Sequence, residues 1–238
     1  MSGQRSSSFI IKLIILFIAF IACAVGLLYA AKYLGVRKDL PIDAKPVRTY
    51  VVDAGHGGPD GGAVGVTGAI EKDIDLAVSK KLASLLSLCG KRVVMTRTGD
   101  DMLSLPGTTG NRKGRDIRSR IKIADGTPGA LLVSIHVNSF PQEKYRGMQI
   151  FYSPSDAVSQ QTAEAVRTSC VTYLQPENDR KTKPAASAIY LLNNVSSPAI
   201  LIECGFISNA EEEKLLCDGG YQTRLGAVIC AGLTAPSE

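Results

Sequence analysis

An α/β fold is what this sequence predicts: a single domain built on a mainly parallel, twisted sheet of about six strands, with helices on both faces. Three observations point there. Short apolar runs alternate with amphipathic stretches of helical period along the chain. The runs are near-continuously apolar, as strands covered on both faces must be. No internal repeat is present, and 238 residues suit one core domain with a short appendage.

The appendage comes first. From Leu13 to Ala31 there are nineteen residues without a charge, which as a helix span about 29 Å, close to a bilayer's hydrocarbon thickness. With no polar face, this stretch predicts a transmembrane signal-anchor over residues 9–31, after a short cytoplasmic N-terminus at 1–8. Tyr29 is badly placed for signal cleavage after Ala31, so the anchor is expected to stay, although cleavage there would release a secreted form. Residues 32–47, with Pro41 and Pro46, read as a tether to a domain at 48–234.

Thr49 to Asp53 is short, β-branched and followed by glycine, the pattern of a buried strand. Ile74, Ala77, Val78, Leu82, Leu85, Leu86 and Cys89 mark one face of a helix that Gly90 ends. A strand over Arg92 to Thr96, a loop over 99–110 and a basic helix over about 112–124 follow. Leu131 to Val137 and Met148 to Tyr152 read as strands, then Asp156 to Leu174 as a helix. A polar loop at 175–187 leads to two short strands, near Ala188 to Leu192 and Ala199 to Glu203. Helices near Ala210 to Cys217 and Tyr221 to Leu233 complete the pattern.

Net charge is +5, a mild bias that does not suggest a nucleic-acid partner. Six basic side chains between Arg112 and Lys122 face only Asp116; a solvated helix face explains them, and so would an anionic polymer. None of the six cysteines forms a CxxC pair, which argues against a thiolate zinc ribbon. Most have apolar neighbours and read as small core residues.

Chemistry concentrates where strands end, the place open α/β sheets bind ligands. The first strand runs into Asp53-Ala54-Gly55-His56-Gly57-Gly58, a middle one ends at Ser134-Ile135-His136-Val137-Asn138-Ser139, and a late one at Leu201-Ile202-Glu203-Cys204-Gly205-Phe206. The only two histidines of the chain both lie there. Two imidazoles and one carboxylate make an open zinc site, and Glu71, opening the first helix, is the third candidate ligand. Glu203, at a neighbouring strand end, is the candidate general base. Each residue alone has a plainer reading: a hydrogen-bonded histidine, or a glutamate favouring a helix dipole.

Taken together, Asp53 to Ala63, Gly68 to Asp73, Arg120, Ser134 to Ser139 and Ile202 to Asn209 resemble the zinc-dependent N-acetylmuramoyl-L-alanine amidases. The resemblance spans about 48–233, and several separated motifs in order are more specific than any one. It implies zinc held by His56, Glu71 and His136, with Glu203 catalytic. It also implies peptidoglycan as substrate, cleaved between N-acetylmuramic acid and L-alanine. Asp125 departs from an expected Asn. The compact layout, with no wall-binding repeats, is similar to the family's sporulation and germination branch. That branch acts on spore cortex, removing stem peptides ahead of muramic δ-lactam formation. Such chemistry places the domain outside the cytoplasmic membrane. Asn138 and Arg180 are the expected substrate contacts. The interval from His136 to Glu203 is too short for the blocking segment of division amidases, so an activating protein partner is a natural form of control. The alternatives are another zinc peptidoglycan hydrolase or deacetylase, and a non-catalytic peptidoglycan-binding protein.

Overall fold

Every residue of β1 (Thr49–Ala54) is buried, because its alternate side chains serve two separate cores. Tyr50 and Val52 point to one side, while Val51 points to the other. β3 (Ala130–Asn138) and β6 (Ala199–Phe206) repeat the pattern. Leu131, Val133, Ile200 and Ile202 join the first core, while Leu132, Ala199 and Leu201 join the second. A fully buried Leu or Ile side chain stabilises a fold by about 1.5–3 kcal/mol, so these three strands form its backbone.

The computed structural model describes residues 16–19 and 48–235. Residues 16–19 are one helical turn with exposed side chains. Among the described residues no helix is long and apolar enough to cross a membrane. The rest of the expected anchor, the N-terminal segment and the tether lie outside the described residues.

The remaining strands are β2 (Arg92–Met95), β4 (Gln149–Tyr152) and β5 (Lys183–Pro184). The sheet order is β2-β1-β3-β6-β4-β5, with every neighbouring pair parallel except β4 and β6. Among the described residues six helices flank it: α1 (Glu71–Leu88), α2 (Arg112–Asp125), α3 (Ala157–Tyr173), α4 (Tyr190–Asn194), α5 (Ala210–Cys217) and α6 (Gly219–Thr234). Leu82 and Leu86 of α1, Val166 of α3, and Leu225 and Ile229 of α6 cover one face. Ala124 of α2 and Leu191 and Leu192 of α4 cover the other. Gly90 ends α1 with φ of +72°, the left-handed geometry that favours glycine there.

Three expectations need correction. The segment 188–192 is not a strand: residues 190–194 form α4, with Leu191, Leu192 and Val195 buried at helical spacing. A short apolar run cannot distinguish the two by itself. The sixth strand is instead Lys183–Pro184, inside the segment read as a loop. It sits at the sheet's edge, where a proline is tolerated. Of the cysteines, Cys170, Cys204 and Cys230 are core residues, but Cys89 and Cys217 are exposed. Each of those two stands at the end of its helix.

Candidate metal centre and active site

β1 and β3 are central neighbours in the sheet, and β6 lies beside β3. Their C-terminal ends bring His56, His136 and Glu203 to one edge of the sheet. His136 and Glu203 are paired across β3 and β6, and the register shifts between His136 and Asn138. Such an irregularity re-aims side chains at a strand's end.

His56 takes a φ of +55°, a region costly for a non-glycine residue and commoner at functional sites. Two buried arginines hold this turn. Arg97 donates from Nε to the Ala54 carbonyl at 3.0 Å and from Nη2 to that of Gly55 at 2.7 Å. Arg120 donates from Nη1 to Ala54 at 2.6 Å and from Nη2 to His56 at 2.5 Å. Arg120 is anchored in turn by Asp116, Nε to Oδ2 at 2.7 Å, and by Asp53 at 2.5 Å. Asp53 also accepts from Thr96 and Ser134, each at 2.6 Å. Burial alone would raise the Asp53 carboxyl, but Arg120 and the two hydroxyls outweigh it and hold it low. The basic helix is therefore only partly the solvated face its charge suggests.

Arg120→Ala is expected to cost about 3–5 kcal/mol, because it strands a buried carboxylate. A denaturant titration measures this. Since the folded Asp53 is depressed, its contribution is present above the unfolded carboxylate range and is lost as pH falls through its folded value. The difference between wild type and variant should therefore shrink in acid.

Glu71 opens α1 with its carboxylate turned back toward the strand ends. Its Oε1 lies 3.1 Å from His56 Nε2 and 3.0 Å from His136 Nδ1. Its Oε2 accepts from the Ala63 amide at 2.7 Å. Burial works against the charged form, but both histidines outweigh it and push the carboxyl far down. Gly62, at φ +70°, is required here: a Cβ would fall 2.5 Å from Glu71 Oε2. Asp60 Oδ2 lies 3.0 Å from His56 Nδ1, a carboxylate placed to orient that ring.

Asp75 is a site residue that the sequence reading misses. It lies one turn after Glu71 on the same face of α1, fully buried, with neither carboxylate oxygen hydrogen-bonded. One donor atom each from His56, Glu71, Asp75 and His136 lies within 4.8 Å of the others. Burial raises the Asp75 carboxyl, and Glu71 and Glu203 raise it further. Two imidazoles, a carboxylate between them and an unsatisfied carboxylate behind form a donor set that suits a divalent cation.

Glu203 Oε2 is buried without a hydrogen-bond partner. Burial lifts its carboxyl to about 7, with Glu71 adding to the rise and His136 and His56 opposing it. Asn138 stands two residues beyond His136, at the end of β3. Arg180 is no free loop side chain. Its Nε donates to the Arg146 carbonyl at 2.8 Å, and its guanidinium lies 4.6 Å from the centre of the Phe206 ring at the end of β6. Two acidic residues of α5, also missed in the sequence, fasten the surrounding loops. Glu212 accepts from the Gly147 and Phe206 amides, and Glu213 from the Thr67 amide and hydroxyl.

Residues 51–235 match the family Amidase_3, described as N-acetylmuramoyl-L-alanine amidase. The chain belongs to that family. It is thereby a hydrolase of amide bonds in peptidoglycan. Among its relatives is the germination-specific N-acetylmuramoyl-L-alanine amidase of Bacillus subtilis, 37% identical over 196 residues, covering 82% of this chain and 80% of that protein. Among solved structures, the CwlD amidase of Clostridioides difficile, in complex with the GerS lipoprotein, is 36% identical with a TM-score of 0.72, covering 78% of this chain and 96% of that one. The amidase AmiC2 of Nostoc punctiforme is 30% identical with a TM-score of 0.67, covering 78% and 94%.

Proposed function

We propose that this amidase cleaves the bond between the lactyl group of N-acetylmuramic acid and L-alanine in spore-cortex peptidoglycan, with zinc held by His56, Glu71 and His136 and the proton moved by Glu203. The observation that carries the reading is the convergence of those three donors beside Glu203, a partly buried carboxylate on the adjacent strand. When bound, zinc supplies a Lewis acid that polarises the scissile carbonyl and acidifies water. Glu203 accepts the proton of the attacking water and returns it to the departing amine of L-alanine. The Asp60 carboxylate stands beside the His56 ring, and Arg97 and Arg120 hold its turn, so the donor set is preorganised.

Asn138 and Arg180 contact substrate in this reading. Arg180, already oriented by Arg146 and Phe206, offers its charge to a carboxylate of the stem peptide. Arg180→Ala is expected to raise KM by about 5–20-fold, the loss of one charge-assisted contact, with kcat little changed. Steady-state kinetics on purified muropeptides measure it, and an unchanged KM would remove Arg180 from the substrate site.

The cortex role, and the place of this step ahead of muramic δ-lactam formation, rest on similarity to a germination-specific relative. The siting of the domain outside the membrane follows from a peptidoglycan substrate, and its anchoring through residues 9–31 rests on the uncharged apolar stretch from Leu13 to Ala31. A solved relative bound to a lipoprotein supports an activating protein partner. Stem-peptide release should be faster from cortex than from vegetative peptidoglycan, and equal rates would remove the cortex assignment.

A further inference from the structure

Cys89 follows the last turn of α1, and Cys230 sits in α6, the helix packed along it. Although 141 residues apart in sequence, their Sγ atoms lie 3.9 Å from each other. The helices approach closely because Gly226 of α6 faces the α1 backbone: a Cβ there would come within 3.3 Å of the Leu82 nitrogen. Cys89 is exposed and Cys230 buried, so an oxidant in solution reaches only the first thiol directly. Burial and the neighbouring Cys89 push the Cys230 thiol up to about 11, with Lys91 opposing, so Cys230 is the resolving thiol and Cys89 the one that reacts first. Neither thiol has a part in the amide hydrolysis described above.

We propose that Cys89 and Cys230 are a redox-modification site, closed to a disulfide by thiol–disulfide exchange with a low-molecular-weight disulfide, RSSR. The Cys89 thiolate attacks one sulfur of RSSR, forming Cys89–SR and expelling RS⁻. The Cys230 thiolate then attacks Cys89 Sγ, which forms the Cys89–Cys230 bond and expels the second RS⁻. The protein's two thiols lose two electrons and two protons; RSSR gains both and leaves as two RSH. The bridge fastens the end of α1 to α6 across a loop that contains His136 and Glu203. It restricts the unfolded chain far more than the folded one. An enzyme working in an oxidising compartment gains a covalent brace that reduction removes.

The test treats the full chain with oxidised glutathione and digests it under non-reducing conditions for mass spectrometry. A peptide pair joining Cys89 to Cys230 is expected, with neither of these two thiols left to alkylate after unfolding. A melting temperature higher by about 5–10 °C is expected, reversed by dithiothreitol. Cys89→Ser, at an exposed position, should fold and lose both the linked peptide and the shift. Cys230→Ala should lose the linked peptide while Cys89 collects glutathione. A wild-type chain whose Cys89 carries only glutathione, with Cys230 still open to alkylation after unfolding, would overturn the proposal. So would linked peptides that pair other cysteines.

Discussion

Glu203→Gln is expected to lower kcat by about 10²–10⁴-fold while leaving zinc content unchanged. The substitution keeps the shape of the side chain and removes its ability to take and return a proton. Glu203 lies beside the donor cluster and is not one of its converging atoms, which separates proton transfer from metal holding. Its carboxyl is lifted to about 7, first by burial, and the base works only when ionised. In the wild type, kcat/KM should therefore rise with pH along an acid limb whose midpoint lies at or below that value, since a bound cation nearby favours the carboxylate. The limb should vanish in Glu203→Gln. Stem-peptide release followed across pH, with metal analysis of the same samples, measures both effects. Undiminished release from the variant would sink the assignment.

The second large effect is on the metal. His136→Ala removes one of the two imidazoles facing Glu71 Oε1. Zinc content and activity should both fall to background. Stability provides an independent reading, because a ligand that binds only the native state stabilises it by about 4 kcal/mol at a thousand times its dissociation constant. Wild type should gain melting temperature on zinc addition, and His136→Ala should not. The metal-free variant should fold, since His136 lies at the partly exposed end of β3 and not within its fully buried stretch. Zinc retained at full stoichiometry would remove His136 from the ligand set.

Much of this arrangement is legible in the amino-acid sequence alone. β1, β3 and β6 are apolar runs buried on both faces, and their polar endings stand out against them. That contrast locates His56, His136 and Glu203 at one edge of the sheet. What escapes does so for physical reasons. α4 has only five residues, too few for its period to show, and β5 has two, one of them a proline. Asp75 reads as an ordinary helix charge until α1 is laid against the strand ends, although its spacing from Glu71 is a usable signal. The grips of Arg97 and Arg120 on backbone carbonyls join residues far apart in sequence. Side-chain type and spacing do not encode them. The same holds for Cys89 and Cys230, which local composition places alike in the core.

One carboxylate is proposed to hold a cation while another moves a proton at a muramoyl amide. Mass spectrometry of the products formed from peptidoglycan by the zinc-loaded chain tests it most directly. Free stem peptides beginning with L-alanine, matched by muramic acid residues bearing a free lactyl carboxyl, are the expected result. Deacetylated sugars or released D-alanine, with the muramoyl amide intact, would contradict it.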